Sequence, residues 1–195
     1  GIVYGSAESI ELCDKIGECL AKTAISKSYE LALMVGSYPR FNKENVMKSD
    51  FYKSHSIGVD NLKLRNSQLL TIAPTGTLST MLGVSGGIEP IFANSYTRKT
   101  ESLHGEEKYY KIFTPIAQEY LESHGFGDDE SKLPEYFITS QDIPYHNRID
   151  MQAVWQKHID ASISSTVNLP NSATVEDVKS LYKHAWLKGL KGITV

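Results

Sequence analysis

From Leu69 to Phe92 the chain reads LLTIAPTGTLSTMLGVSGGIEPIF, and between Arg65 and Arg98 its only charged side chain is Glu89. So long an uncharged run in a water-exposed protein is expected to be mostly buried. It still carries hydroxyls at Thr75, Thr77, Ser79, Thr80 and Ser85. The order of residues predicts an apolar strand (Leu69–Ala73), a Pro-Thr-Gly-Thr turn, a short helix ended by Gly83, a glycine-rich loop and a second strand. Gly76 would let the turn approach a ligand closely and take a positive φ. The first amides of the helix after it lack internal partners and sit at the positive end of its dipole. Phosphate suits that geometry. There is no lysine of the Walker kind, so amides and hydroxyls would have to do the holding. The same spacing also fits an ordinary strand-turn-helix connection, and the residues by themselves leave both readings open.

The rest of the chain alternates helix and strand. A long helix is expected over 8–35, with Ile10, Cys13, Gly17, Leu20, Ala24 and Leu31 on its packing face and Gly36 and Pro39 as its stop. The stretch Phe41–Asp60, dense in Lys, Asn and Ser, reads as a surface loop with one helical turn. Residues 88–97 read as a strand with an irregular start at Pro90. Thr114-Pro115 opens a helix that Gly125 closes. GDDESKLPEY reads as an acidic loop, and 137–139 as a short element. His146 to Ile163 predicts a helix presenting Ile149, Ala153, Trp155, Ile159 and Ile163. The TVNLP run ending at Pro170 reads as a strand. Thr174-Val-Glu-Asp177 resembles a capping box with Asp in place of Glu. Its helix would carry Val178, Leu181, Tyr182, Ala185 and Trp186 inward, and the final GITV reads as a strand. Strand-helix alternation with short connections predicts an α/β fold with largely parallel pairing.

Composition excludes several function classes. At 195 residues and 41% hydrophobic content, one domain with a real core is expected. A net charge of −3 with interspersed signs argues against nonspecific nucleic-acid binding. No apolar run is long enough to cross a membrane, and no signal peptide is visible. Cys13 and Cys19 are the only cysteines, too few for a disulfide scaffold, and read as partly buried thiols in a reducing, cytoplasmic setting. His146 and Asp150 share a helical face, but His158 gives them no clean third partner for a metal. Glu89, alone in its uncharged stretch, is expected to have a structural partner, because an unpaired buried carboxylate is costly. Trp155 and Trp186 read as core, and Tyr109-Tyr110 as surface aromatics. Both chain ends read as internal to a longer protein.

Two long segments carry a resemblance. RNSQLLTIAPTGTLSTMLGVSGGIEPIFANSYTRKT and HNRIDMQAVWQKHIDASISSTVNLPNSATVEDVKSLYKHAWLKGLKGITV are similar to the large subunit of ribonucleotide reductases. The MQAVWQKHIDASIS and TVEDV wording is most similar to the adenosylcobalamin-dependent class. With the opening helix, the resemblance spans nearly the whole chain as one partial domain, 1–195.

The resemblance implies a ten-stranded α/β barrel of two parallel five-stranded halves. This chain would supply its C-terminal part as an incomplete barrel, with Leu69–Ala73, Ile88–Ala93, Thr166–Leu169 and Gly192–Val195 as strands. It implies that Pro74, Thr75, Gly76, Thr77 and Leu78, with Ser79 close by, bind the phosphate of a ribonucleoside di- or triphosphate. The implied reaction reduces the ribose 2′-hydroxyl after a cysteine thiyl abstracts the 3′-hydrogen. That cysteine belongs to an Asn-x-Cys-x-Glu motif that this chain lacks, so no catalytic residue is assigned within 1–195, and the chain by itself is expected to be inactive. The implied partners are the rest of the catalytic subunit and a thioredoxin-type reductant, with adenosylcobalamin as a cofactor not held by this segment alone. Neither nucleic acid nor membrane is expected as a partner. The competing class is a non-catalytic phosphate- or nucleotide-binding α/β module.

Overall fold

A computed structural model describes residues 1–56, 58, 60–101 and 107–195. Its first element, helix α1 (Ala7–Val35), starts where the Ser6 side chain accepts the Ser9 amide and ends where the Gly36 N–H reaches the Ala32 carbonyl at φ 84°. The buried face is Ser9, Gly17, Ala21, Ile25, Ser28 and Ala32, turned from the predicted one so that only Gly17 is shared. Small residues line it because another helix must come close. A Cβ on Gly17 would sit 2.6 Å from the His158 ring. Leu12, Ile16 and Leu20 stay on the outer face, each more than 40% exposed.

The polar stretch after α1 is not a surface loop. It forms α2 (Lys43–Val46) and α3 (Asp50–His55), and α3 buries Phe51, Tyr52 and His55. Phe51 and Tyr52 join Ala21, Ile25, Leu62 and Leu64 in one core cluster. Two adjacent aromatics supply enough apolar area to fold the segment inward despite its polar flanks.

Next come α4 (Gly76–Leu82) and an antiparallel hairpin, β1 (Ser95–Glu101) with β2 (Glu107–Phe113), paired in the register Ser95↔Phe113 to Glu101↔Glu107. The strand expected over 88–97 is therefore displaced: 88–93 forms no ladder, and regular pairing begins only at Ser95. Pro90 has no N–H to give a ladder, and the Ile91 carbonyl takes the Ser140 amide instead.

Helix α5 (Pro115–Ser123) begins with proline at its first position, and Gly125 follows its end at φ 69°. Its Ala117 and Leu121 pack with Phe113. The Thr114 side chain makes no cap bond. The acidic segment forms single 3-10 turns at Glu130–Lys132 and Glu135–Phe137.

Helix α6 (Tyr145–His158) stops five residues short of the predicted Ile163. Residues 161–164 are instead extended and pair in parallel with the Leu69–Ala73 segment. The Ala161 and Ser164 amides donate to the Leu70 and Ile72 carbonyls at 3.0 and 2.8 Å. Thr166 bridges Thr194, also in parallel. Parallel pairing thus occurs at Leu69–Ala73, Thr166–Leu169 and Gly192–Val195 as isolated bridges, the open edge of an incomplete α/β barrel.

Helix α7 (Val175–Leu187) carries the predicted box: the Thr174 side chain accepts the Asp177 amide, and Asp177 accepts back from the Thr174 amide. Leu181 and Ala185 are buried with Ile149 and Val167. Trp186 is 74% exposed, so it is not core.

Candidate functional site

Thr75 is the only non-glycine residue with positive φ among the described residues, at φ 50°, ψ 28°. The left-handed backbone expected at Gly76 falls one residue earlier, on a β-branched side chain that resists it. Two bonds hold it there: the Thr75 carbonyl accepts the Ser79 amide at 2.8 Å, and its hydroxyl oxygen accepts the Gly87 amide at 3.0 Å. Pro74 ends the preceding strand, and Gly76 becomes the first residue of α4.

The Gly76, Thr77 and Leu78 amides have no intrahelical acceptor and take no other partner among the described residues. Pro74, Gly76, Thr77 and Leu78 are exposed, and a Cβ on Gly76 would meet nothing within 4 Å. The Ser79 and Thr80 hydroxyls donate back to the Gly76 carbonyl at 3.0 and 2.9 Å, so they brace the first turn. The expected burial of the uncharged stretch does not hold within this chain: Leu78, Met81, Leu82, Val84 and Phe92 are all more than half exposed.

Behind the turn lies the glycine-rich loop. Gly83 caps α4 at φ 67°, and the Val84 amide returns to the Ser79 carbonyl. Gly86 is pressed against the turn: a Cβ there would lie 2.7 Å from the Pro74 carbonyl oxygen. The loop is tied down at Ile88 and Glu89. Tyr4 donates its hydroxyl to the Ile88 carbonyl at 2.7 Å, and Glu89 Oε1 accepts the Thr166 amide at 2.6 Å. Glu89 thus has the structural partner its isolation demanded. Arg148, 2% exposed, donates to the Thr166 carbonyl at 2.6 Å. Burial pushes the Tyr4 phenol up to about 12, with the Arg148 charge opposing and the Glu89 charge reinforcing the rise.

A cleft of about 710 Å³ is lined by Tyr4, Val84, Ile91, Asn94 and Tyr120, among others, and by none of Pro74 to Ser79. The turn therefore lies outside this cleft.

Asp160 is a residue that pattern reading did not single out. Its two oxygens take the Leu69 and Leu70 amides at 2.8 and 2.6 Å, fixing the start of the strand that feeds the turn. Asp150 pairs with Lys188 at 2.8 Å and His184 at 3.3 Å, while His146 is exposed. His158 instead joins a buried chain: His55 Nδ1 to the Phe51 carbonyl, His55 Nε2 to His158 Nδ1 at 2.8 Å, and His158 Nε2 to Asp14 at 3.0 Å. Cys13 is half-buried, and burial pushes its thiol up against a bond to Trp155. Cys19 is exposed rather than partly buried.

The family model for the ribonucleotide reductase barrel domain matches residues 1–195, the whole of the chain. The chain belongs to the ribonucleotide reductase barrel-domain family. It is 32% identical to a vitamin B12-dependent ribonucleoside-diphosphate reductase of Mycobacterium tuberculosis, over all of this chain and 28% of that protein. A reductase of the same description from Thermoplasma acidophilum is 30% identical over all of this chain and 26% of its own length. The ribonucleotide reductase barrel segment described here therefore spans about a quarter of the length of these curated relatives. Among solved structures, the Actinobacillus ureae class Id ribonucleotide reductase alpha subunit shares the fold. Its TM-score is 0.71 at 22% identity, covering 99% of this chain and 35% of that one. No helix among the described residues is long and apolar enough to cross a membrane.

Tyr4, Arg148 and Thr166 meet at the Ile88–Glu89 end of the glycine-rich loop without forming a motif of their own. Only Glu89 signalled this cluster in the sequence, by being the lone charge of its stretch.

Proposed function

We propose that this chain is the closing part of the barrel in a ribonucleotide reductase catalytic subunit, and that Pro74–Ser79 anchors the substrate phosphate. The observation that carries the reading is the open, braced turn. Three amides, of Gly76, Thr77 and Leu78, have no partner among the described residues and stand side by side on exposed residues. Thr77 adds an exposed hydroxyl. Pro74 has no N–H and shapes the entry, and Thr75 points the first amides outward by its left-handed backbone. Ser79 contributes by bracing the turn.

The names of the relatives support a ribonucleoside diphosphate as substrate and a vitamin B12 cofactor for the whole protein. Adenosylcobalamin, when bound, supplies the radical from which the cysteine thiyl is formed, and that cysteine lies outside this chain. Neither buried histidine fits as a ligand to cobalt. The ring nitrogens of His55 and His158 are committed to Phe51, to each other and to Asp14. This segment then serves by holding and orienting the phosphate end of the nucleotide. The exposed apolar residues of the uncharged stretch, Leu78 to Phe92, face the remainder of the subunit, and a thioredoxin-type reductant renews the parent enzyme.

Calorimetric titration of the full-length subunit with a ribonucleoside diphosphate tests the reading. Thr77→Val should weaken binding by about 1.5–3 kcal/mol, the worth of one charge-assisted hydrogen bond. Binding of the unphosphorylated nucleoside should not change. An unaltered diphosphate Kd removes the Thr77 hydroxyl from the site.

A further inference from the structure

Thr166 has both of its backbone polar groups bound by side chains. Its strand bridges Thr194, and that bridge uses the Ser165 carbonyl and the Val167 amide. In a parallel bridge this leaves the N–H and C=O of Thr166 itself turned the other way, where a further strand would normally take them. No strand does so among the described residues. The Glu89 carboxylate takes the amide at 2.6 Å and the Arg148 guanidinium takes the carbonyl at 2.6 Å. A carboxylate and a guanidinium thus replace the backbone groups of a missing neighbour, with charge-assisted bonds that are stronger than the neutral ones they replace.

One of these two side chains leads directly to the turn. Glu89 ends a tight loop in which its own amide donates to the Gly86 carbonyl at 3.0 Å. Gly86 lies against the Pro74 carbonyl with no room for a methyl group, and the Gly87 amide donates to Thr75 Oγ1 at 3.0 Å. Tyr4, from the segment before α1, pins the same loop by its bond to the Ile88 carbonyl. The path from a barrel strand to the strained residue at the head of α4 is therefore short and continuous: Thr166, Glu89, Gly86 and Gly87, then Pro74 and Thr75.

We propose that Glu89 is a positioning residue for phosphate recognition: by anchoring the 86–89 loop to Thr166, it keeps Thr75 left-handed and the first amides of α4 aimed at the substrate. Tyr4 is the second anchor of the same loop. Glu89 acts through its hydrogen bond, not by touching the substrate, so a neutral acceptor of the same length serves in its place. The proposal rests on the phosphate reading of the turn.

The test compares two dissociation constants in the full-length subunit, one for a ribonucleoside diphosphate and one for the matching unphosphorylated nucleoside. Their ratio reports the phosphate contribution, which a general loss of structure would not selectively reduce. Glu89→Ala should weaken diphosphate binding by about ten- to a hundredfold, the equivalent of one charge-assisted bond, with the nucleoside constant unmoved. Glu89→Gln keeps an acceptor oxygen and should restore most of the ratio. Tyr4→Phe should lower it in the same direction by less. A wild-type ratio in Glu89→Ala, or a Glu89→Gln as impaired as Glu89→Ala, overturns the proposal. Should Glu89→Ala fail to fold, Tyr4→Phe decides, and an unchanged ratio there is equally fatal. A wild-type subunit that binds nucleoside as tightly as diphosphate refutes the phosphate reading itself, and the anchoring role with it.

Discussion

Replacing Gly76 by alanine should separate folding from binding at the proposed phosphate turn. Gly76 is the first residue of α4, its φ is not positive, and a Cβ there meets no heavy atom within 4 Å. Alanine in a helix is favoured over glycine by roughly 0.5–1 kcal/mol, chiefly through the lower entropy of the unfolded chain. The variant should therefore melt at or slightly above the wild-type temperature. Binding should move the other way. A helical Cβ tilts toward the N-terminus, which here is the open side where the three amides emerge. A phosphate oxygen accepting from such an amide sits about 2.7–2.9 Å from nitrogen, whereas an oxygen against carbon needs roughly 3.3 Å or more. The methyl group should push the phosphate off at least one amide. Losing one such bond costs about 1.5–3 kcal/mol, or roughly 10- to 140-fold in Kd. Calorimetry with a ribonucleoside diphosphate, beside a thermal melt of the same full-length subunit, reads both effects. A variant that melts higher and still binds like wild type refutes the approach of phosphate to Gly76. One that melts several degrees lower refutes the open environment of the residue.

Three further outcomes follow from the geometry. Asp160→Ala strands the Leu69 and Leu70 amides and should cost at least about 2 kcal/mol in urea unfolding, with Asp160→Asn in between because it keeps one acceptor; a cost near zero would mean that water replaces the carboxylate. Thr174→Ala removes half of the α7 capping box and should cost about 0.5–2 kcal/mol, read as a lower urea midpoint with unchanged slope. The hydrogen bond from His158, helped by Lys157, holds the Asp14 carboxyl below its ordinary range. A depressed carboxylate adds stability above its unfolded value of about 4, and that share is lost as pH falls through the folded value. Asp14→Asn should therefore flatten the acid limb of the stability curve, by a small amount because Asp14 is half exposed. A limb as steep as wild type would assign acid sensitivity elsewhere.

Local signals were legible where local physics decides. Gly36 ends α1, Pro115 opens α5, and Thr174 with Asp177 caps α7, because capping depends on residues within a few positions of each other. Glu89 announced a partner by its isolation, and it has one. The errors lie where a distant segment sets the outcome. The face of α1 turned because small residues admit His158 of α6, and α6 ended early because 161–164 pair with the Leu69 strand. The polar stretch around α3 folded inward on two aromatics whose partners come from α1 and from Leu62 and Leu64. Arg148 and Gln152, both almost fully buried, break the inside-outside rule on α6 because backbone carbonyls at Thr166 and Gly192 need donors there.

The amino-acid order alone thus marked the strand-turn-helix around Pro74–Ser79 by its spacing, and its resemblance to ribonucleotide reductases pointed to the family and to a radical cysteine motif that these residues do not contain. Tertiary structure decided how the turn is held. It moved the positive φ from Gly76 to Thr75 and committed the Ser79 hydroxyl to bracing. It also brought Tyr4 to Ile88 across 84 residues of chain and Glu89 to Thr166 across 77. A strained β-branched residue persists only when contacts remote in sequence compensate for it, and such contacts are visible only once the chain is folded.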